Sequence, residues 1–249
     1  MFYFLLTPIL TYNYILIAAA VIPAIFLMIK VYRSDRLEKE SPSLLLSLAV
    51  SGVLSSLLAL FEERILSFIL GRAVERSSPV YNVLLYFVVV AVAEESSKYI
   101  FLSRKTWRSP EFDSRYDGVV YAVFVSLGFA LWENISYVIN YGFSAAIVRA
   151  VTAIPGHACF GVFMGVFYGC ARKYENAGNR ALSKALRSLA LIFPMLLHGA
   201  YDYIASLENT KGGWFFTAFV VVLFVVSYIV VGRSSENDEF ISGEQYIRY

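Results

Sequence analysis

Polar positions in this chain are sparse and grouped, and the apolar stretches between them are long enough to cross a bilayer. Seven stretches, at about 10–28, 44–61, 80–102, 118–139, 156–171, 188–204 and 214–231, match the roughly 17–25 residues a spanning helix needs. The pattern predicts an all-α polytopic membrane protein with about seven transmembrane helices. Segment 64–75 is too short and too charged to span, and is predicted to lie in the interface as an amphipathic piece.

Composition agrees with the pattern. Hydrophobic residues make up 58% of the 249 positions and charged residues 16%, with a mean hydropathy of +0.62. A soluble domain has about 45–50% apolar and about 25% charged residues, so a multi-pass protein of the cell membrane, with the lipid bilayer as its first partner, is expected. The net charge of +2 points to no particular partner, and no nucleotide-binding loop, CxxC metal site or nucleic-acid module is visible. The two cysteines, Cys159 and Cys170, fall about 16 Å apart along one predicted helix, too far for a mutual disulfide.

The distribution of charge orients the chain. With seven spans, 15 of the 21 Lys and Arg fall on the side of the first, third and fifth connections and the C-terminus. Five fall on the opposite side, and Lys98 lies inside span three. Cytoplasmic loops carry the excess of positive residues, so the N-terminus is predicted outside and the C-terminus in the cytoplasm. No Lys or Arg precedes Lys30, which argues for a retained first span rather than a signal peptide. One membrane domain, 1–233 with a core at 80–205 in spans three to six, is expected, followed by a polar, mobile cytoplasmic tail at 234–249.

Against this background the charges inside the spans stand out. Span three carries Glu94, Glu95 and Lys98, span four Glu133, span five His157, and span six His198 and Asp202. Each charged group costs about 2.5–3.5 kcal/mol to insert on translocon scales, so partners and a function are called for. Both histidines of the chain lie in spans. Glu94 and Lys98 are spaced i,i+4 and Glu95 and Lys98 i,i+3, so either pair can form. Adjacent residues on a helix point about 100° apart, which leaves one Glu facing a cavity and the other buttressing it. His198 and Asp202 share a face at i,i+4, and Pro194 removes a helix hydrogen bond just before His198. At about 1.5 Å per residue from the cytoplasmic ends, Glu94 lies about 12 Å deep, His198 about 15 Å, and Glu133 and His157 about 22 Å, close enough in depth to converge. Blander readings stand beside these: an ion-paired packing knot at Glu94–Lys98, and an interfacial Glu133 beside the aromatic Trp132 and Tyr137.

The motifs Glu94-Glu95-x-x-Lys98, Phe129-x-x-x-Glu133, His157 and His198-x-x-x-Asp202, in this order on four successive spans, resemble the PrsW family of intramembrane proteases. Asp117-Gly118, Gly128-Phe129-Ala130 and Glu133-Asn134 add to the likeness, which covers roughly half of the chain, from Val80 to Asp202. The related CAAX prenyl endopeptidases usually have a histidine where this chain has Glu133, which argues against prenylated substrates. The resemblance implies site-1 cleavage, on the extracytoplasmic side, of a single-span membrane protein such as an anti-sigma factor. The catalytic candidates are Glu94, Glu95, Glu133, His157, His198 and Asp202, supported by Lys98 and Phe129. Two chemistries stay open. In one, Glu94 acts as general base, with Glu95 and Lys98 as its frame and His198, oriented by Asp202, stabilising the oxyanion or protonating the amine. In the other a divalent metal such as zinc is held by His157, His198 and one or both of Glu133 and Asp202. A proton- or metal-coupled transporter and a non-catalytic scaffold are the alternatives from other classes.

Overall fold

The computed structural model describes residues 2–207 and 210–241. Nine α-helices are present among them: α1 (Phe2–Ser34), α2 (Pro42–Ala73), α3 (Pro79–Leu84), α4 (Ala91–Thr106), α5 (Asp117–Tyr141), α6 (Phe143–Val151), α7 (Ala153–Asn176), α8 (Arg180–Ala205) and α9 (Thr210–Glu236). A π-helical stretch, Leu85–Val90, joins α3 to α4, so that Pro79–Thr106 runs as one span. α6 and α7 combine likewise, and seven helical units are long and apolar enough to cross a membrane.

Local chemistry sets the helix ends. Ser41 caps α2, its Oγ accepting from Leu44 N at 3.3 Å, and Pro42 follows in the first turn, where its missing N–H costs nothing. Asn179 caps α8 in the same way through Leu182 N at 3.2 Å. Gly142, at φ 78°, turns the chain between α5 and α6 in a conformation that a side chain would strain. Pro194 sits inside α8 without ending it.

Two expectations are corrected. Segment 64–75 is not a separate interfacial piece: α2 continues to Ala73. Its 32 residues extend about 48 Å, against a hydrocarbon core of about 30 Å, so Arg64 and Arg72 lie on turns that leave the core. The tail is not mobile throughout. Ser234–Glu236 complete α9, and the next five residues dock on the connection between α4 and α5. Arg115 N donates to Glu239 O at 3.1 Å and Ile241 N to Asp113 O at 2.7 Å, while Lys173 Nζ reaches Glu239 Oε1 at 2.8 Å. Residues 242–249 of the predicted tail lie outside the described residues.

α5 is the hub. It is the most buried span, with 78% of its apolar window inside the bundle against 17% for α9. Two close approaches fix its depth. A Cβ at Gly128 would lie 2.1 Å from Ala49 O, and one at Gly52 2.1 Å from Val125 O, so α2 and α5 meet backbone to backbone. Such small-residue contacts drive helix association in lipid, where no hydrophobic force acts between helices. At the opposite end from the site, Glu40 is buried beside Asp117 and Tyr121, and burial and then the Asp117 carboxylate push its carboxyl up to about 9. Gly128→Val is expected to force α2 off α5 and lower Tm in detergent by roughly 5 °C or more, measured by thermal unfolding.

Candidate active site

The charged motif of α4 follows directly on the π-helical stretch. A π-turn accommodates an extra residue and changes the rotational phase of what comes after it. Phe87, within that stretch, packs so tightly on α8 that a Cβ at Gly199 would lie 2.5 Å from its ring. The contact holds His198, the preceding residue, against α4.

Lys98 is the centre of the cluster. Its side chain is fully buried, and Nζ donates to Glu95 Oε1 at 2.7 Å, Glu94 Oε2 at 3.3 Å and His157 Nδ1 at 3.1 Å. It also stands 4.1 Å above the centre of the Phe129 ring, a buried cation–π contact. An ammonium only donates, so His157 Nδ1 accepts and its proton resides on Nε2. That nitrogen donates to Glu133 Oε2 at 2.7 Å. The chain Lys98–His157–Glu133 therefore fixes one imidazole tautomer.

Glu95 performs a second fixing task. Its side chain is fully buried, and the oxygen that takes Lys98 also accepts from His198 Nδ1 at 2.9 Å. His198 Nε2 then points between Asp202 Oδ2 at 3.3 Å and Glu94 Oε2 at 3.8 Å. The partner behind the ring is thus Glu95, and Asp202, expected from its i,i+4 spacing to orient the imidazole, meets it at the other nitrogen. Spacing along α8 brings Asp202 to the right face, but the i,i+4 rule does not say which nitrogen it meets. Phe160 stacks on the His198 ring at 4.8 Å.

These groups surround a cavity of about 350 Å³, lined by Glu94, Glu133, His157, His198 and Asp202 together with Phe129 and Phe160. Glu95 and Lys98 stand behind its wall. All the predicted site residues therefore meet in one place, from α4, α5, α7 and α8.

Two further charged residues reach the cavity. Glu63 comes from α2, on the face that also presents Ser56 and Leu60. Span two is expected to end at position 61 and the interfacial piece to begin at 64, so Glu63 falls in neither; a carboxylate two residues past an apolar run is its only signal. Arg149 comes from α6, a helix with no spanning signal of its own. Its Nη2 lies 2.9 Å from Glu133 Oε2, its Nε donates to Asn134 Oδ1 at 3.0 Å, and its guanidinium lies 3.9 Å from the Tyr137 ring centre. The signal was an isolated arginine on the side of the membrane that is poor in them. Arg149→Gln is expected to lower kcat/KM by about 10–100-fold with little change in Tm, because it frees Glu133, the hydrogen-bond partner of His157. Cleavage kinetics with parallel thermal unfolding check this.

The fixed charges do not balance. Among the described residues Glu63, Glu94, Glu133 and Asp202 line the cavity with Arg149 as the one lining Lys or Arg, and behind the wall Glu95 faces Lys98. Such an excess of carboxyl groups suits protons, a metal ion or a cationic ligand. Glu94, Glu95 and His157 each place a donor atom within 4.8 Å of the others, a spacing that suits a metal. The Lys98 ammonium, however, already sits among them. The chemistry of a metal ligand fits better on the cavity side, where His198 has a carboxylate behind Nδ1 and two carboxylates before Nε2.

Carboxylates and imidazoles gathered around a cavity inside a helical bundle built for lipid fit a membrane-embedded hydrolase. Comparison with known proteins makes that class specific. The model of the family described as "PrsW family intramembrane metalloprotease" matches residues 40–231. The chain is 32% identical over 222 residues to Protease PrsW of Oceanobacillus iheyensis, covering 89% of this chain and 97% of that one. It is 34% identical over 191 residues to Protease PrsW of Bacillus subtilis, covering 77% and 83%. It is 32% identical over 209 residues to Protease PrsW of Geobacillus kaustophilus, covering 84% and 87%. No solved structure matches the chain. The chain belongs to the PrsW family and is a multi-pass intramembrane protease; the transporter and scaffold alternatives fall with that assignment.

Proposed function

We propose that this protease hydrolyses a peptide bond of a single-span membrane protein, such as an anti-sigma factor, with Glu94 as general base. The observation that carries the reading is the division between the two adjacent glutamates. Glu95 is sealed between Lys98 and His198, while Glu94 faces the cavity 3.8 Å from His198 Nε2. A base must reach a water in the cavity, and a frame residue must not.

In this mechanism Glu94 takes a proton from the attacking water. His198, held by Glu95 through Nδ1, presents Nε2 to the carbonyl oxygen or to the leaving amine, and Asp202 stabilises the ring while it carries a proton. His157 and Glu133, aligned by Lys98 and Arg149, form the opposite wall and position the peptide. A divalent metal, as the family description has it, would be held by His198 and Asp202 with Glu94 beside them, and would polarise the carbonyl; Glu94 would then serve as a ligand rather than as the free base.

The topology supports the side of the cut. The lining residues come from the second halves of α2 and α5 and the start of α7, away from the loops rich in Lys and Arg. With those loops in the cytoplasm, the N-terminus lies outside and the cavity belongs to the extracytoplasmic half of the membrane.

Reconstitution in proteoliposomes with candidate single-span anti-sigma factors tests the proposal, comparing wild type with Glu94→Gln, Glu95→Gln, His157→Ala and His198→Ala. Fragments from wild type and a large loss in all four variants are expected. If all four cleave like wild type, the catalytic assignment is wrong. Exhaustive chelation forms the second arm: full activity after it sinks the metal, and loss restored by zinc supports it.

A further inference from the structure

A second concavity lies on the outer face of the bundle, and nothing in the proteolytic mechanism uses it. It is a groove of about 880 Å³ between α1 and α9 with α7 as its floor. The helices α1 and α9 meet at their ends, where Ser235 Oγ donates to Ser34 O and Arg36 pairs with Glu236 at 3.4 Å. Below that clasp they diverge. The floor is made of small or compact side chains spaced as one helix face, Pro155, Ala158, Cys159 and Val162. Gly232 leaves the α9 wall open, since a Cβ there would meet nothing within 4 Å.

The charge at one end is one-sided. Lys30, Arg33, Arg36 and Arg233 all line the groove, against the single acid Glu236, which Arg36 already pairs. Asp35, the nearest other carboxylate in sequence, is buried at 3% exposure and does not line it. Lys30, Arg33 and Arg233 are exposed, and Lys30 Nζ sits 4.7 Å over the Tyr228 ring. A cationic rim at the end of two spanning helices, with an apolar slot running from it toward the membrane centre, matches one kind of molecule. Its headgroup is a phosphodiester and its tail is acyl chain.

We propose that this groove is a binding site for an anionic glycerophospholipid, the phosphate held by Lys30, Arg33 and Arg233 and an acyl chain lying along α7. Zwitterionic lipid fills the slot equally well and offers the same phosphate, but its headgroup cation is repelled by the cationic rim, so the site selects by net headgroup charge. The groove backs onto the helix that carries His157: Pro155, Ala158 and Cys159 face the lipid while His157 faces the cavity.

The test is native mass spectrometry of the purified full chain in mild detergent with equal amounts of phosphatidylglycerol and phosphatidylcholine. Wild type is expected to retain phosphatidylglycerol at least about fivefold better, since one Lys or Arg near an anionic headgroup is worth about that factor. Arg33→Gln with Arg233→Gln is expected to bring the ratio close to one. Arg104→Gln with Lys105→Gln, which removes two exposed cations outside the groove, is expected to leave it unchanged. Gly232→Trp, at a position where a Cβ meets nothing within 4 Å, is expected to obstruct the slot and lower retention of phosphatidylglycerol while Tm stays within a few degrees. Equal retention of the two lipids by wild type overturns the proposal. So does an equal loss in the Arg104 and Lys105 variant, which assigns the preference to overall charge, or full retention in Gly232→Trp.

Discussion

Glu94→Gln is expected to slow cleavage by about 10²–10⁴-fold, the contribution of a positioned general base, while the protein stays folded. The amide has the shape of the carboxylate, and its oxygen still accepts from Lys98 Nζ, 3.3 Å away in the native site. What it loses is the ability to take a proton. Glu95→Gln is different in kind. There the oxygen between Lys98 at 2.7 Å and His198 at 2.9 Å loses its charge, two buried donors lose a charged acceptor, and stability and rate fall together. Single-turnover cleavage in proteoliposomes, with thermal unfolding of each variant, separates the two. Cleavage by Glu94→Gln within threefold of wild type, or a Glu95→Gln variant that is slow but as stable as wild type, reverses the division of roles.

Most of the fold could be read from the chain because lipid imposes so few solutions. A segment crossing hydrocarbon must satisfy its backbone internally, so apolar length alone announces a helix. The site residues were legible for the same reason: a charge in an apolar run is costly enough to stand out. What could not be read are features that depend on how helices rotate and meet. The π-helical stretch Leu85–Val90 has an ordinary apolar sequence, and only contact with Gly199 makes sense of its irregular turn. Glu63 was lost because hydropathy ends a span at the first charged pair, whereas α2 continues for three more turns. Arg149 looked like a loop charge because nine residues of α6 are too few to announce a span. The tail looked mobile because its composition is polar, but its partners, Asp113 to Arg115, are distant in sequence.

Lys98 carries the second large effect. Lys98→Met keeps the length and apolar stem of the side chain and its packing on Phe129, yet removes the cation shared by Glu94, Glu95 and His157. Breaking a buried pair from one side costs about 3–5 kcal/mol, because the charge left behind is uncompensated. A fall in Tm of roughly 10 °C and cleavage reduced to background are expected. The pairing cost and the catalytic cost can be told apart with a second substitution. Lys98→Met with Glu95→Gln removes both charges, so most of the lost stability is expected to return, with a coupling of about 3 kcal/mol in the double-mutant cycle. Activity is expected to stay absent, since His157 no longer has a donor fixing its tautomer and His198 no longer has a carboxylate behind it. A double variant as unstable as the single one shows that the uncompensated Glu95 charge is not what destabilises Lys98→Met. A single variant that cleaves normally shows that the tautomer of His157 does not matter to the reaction.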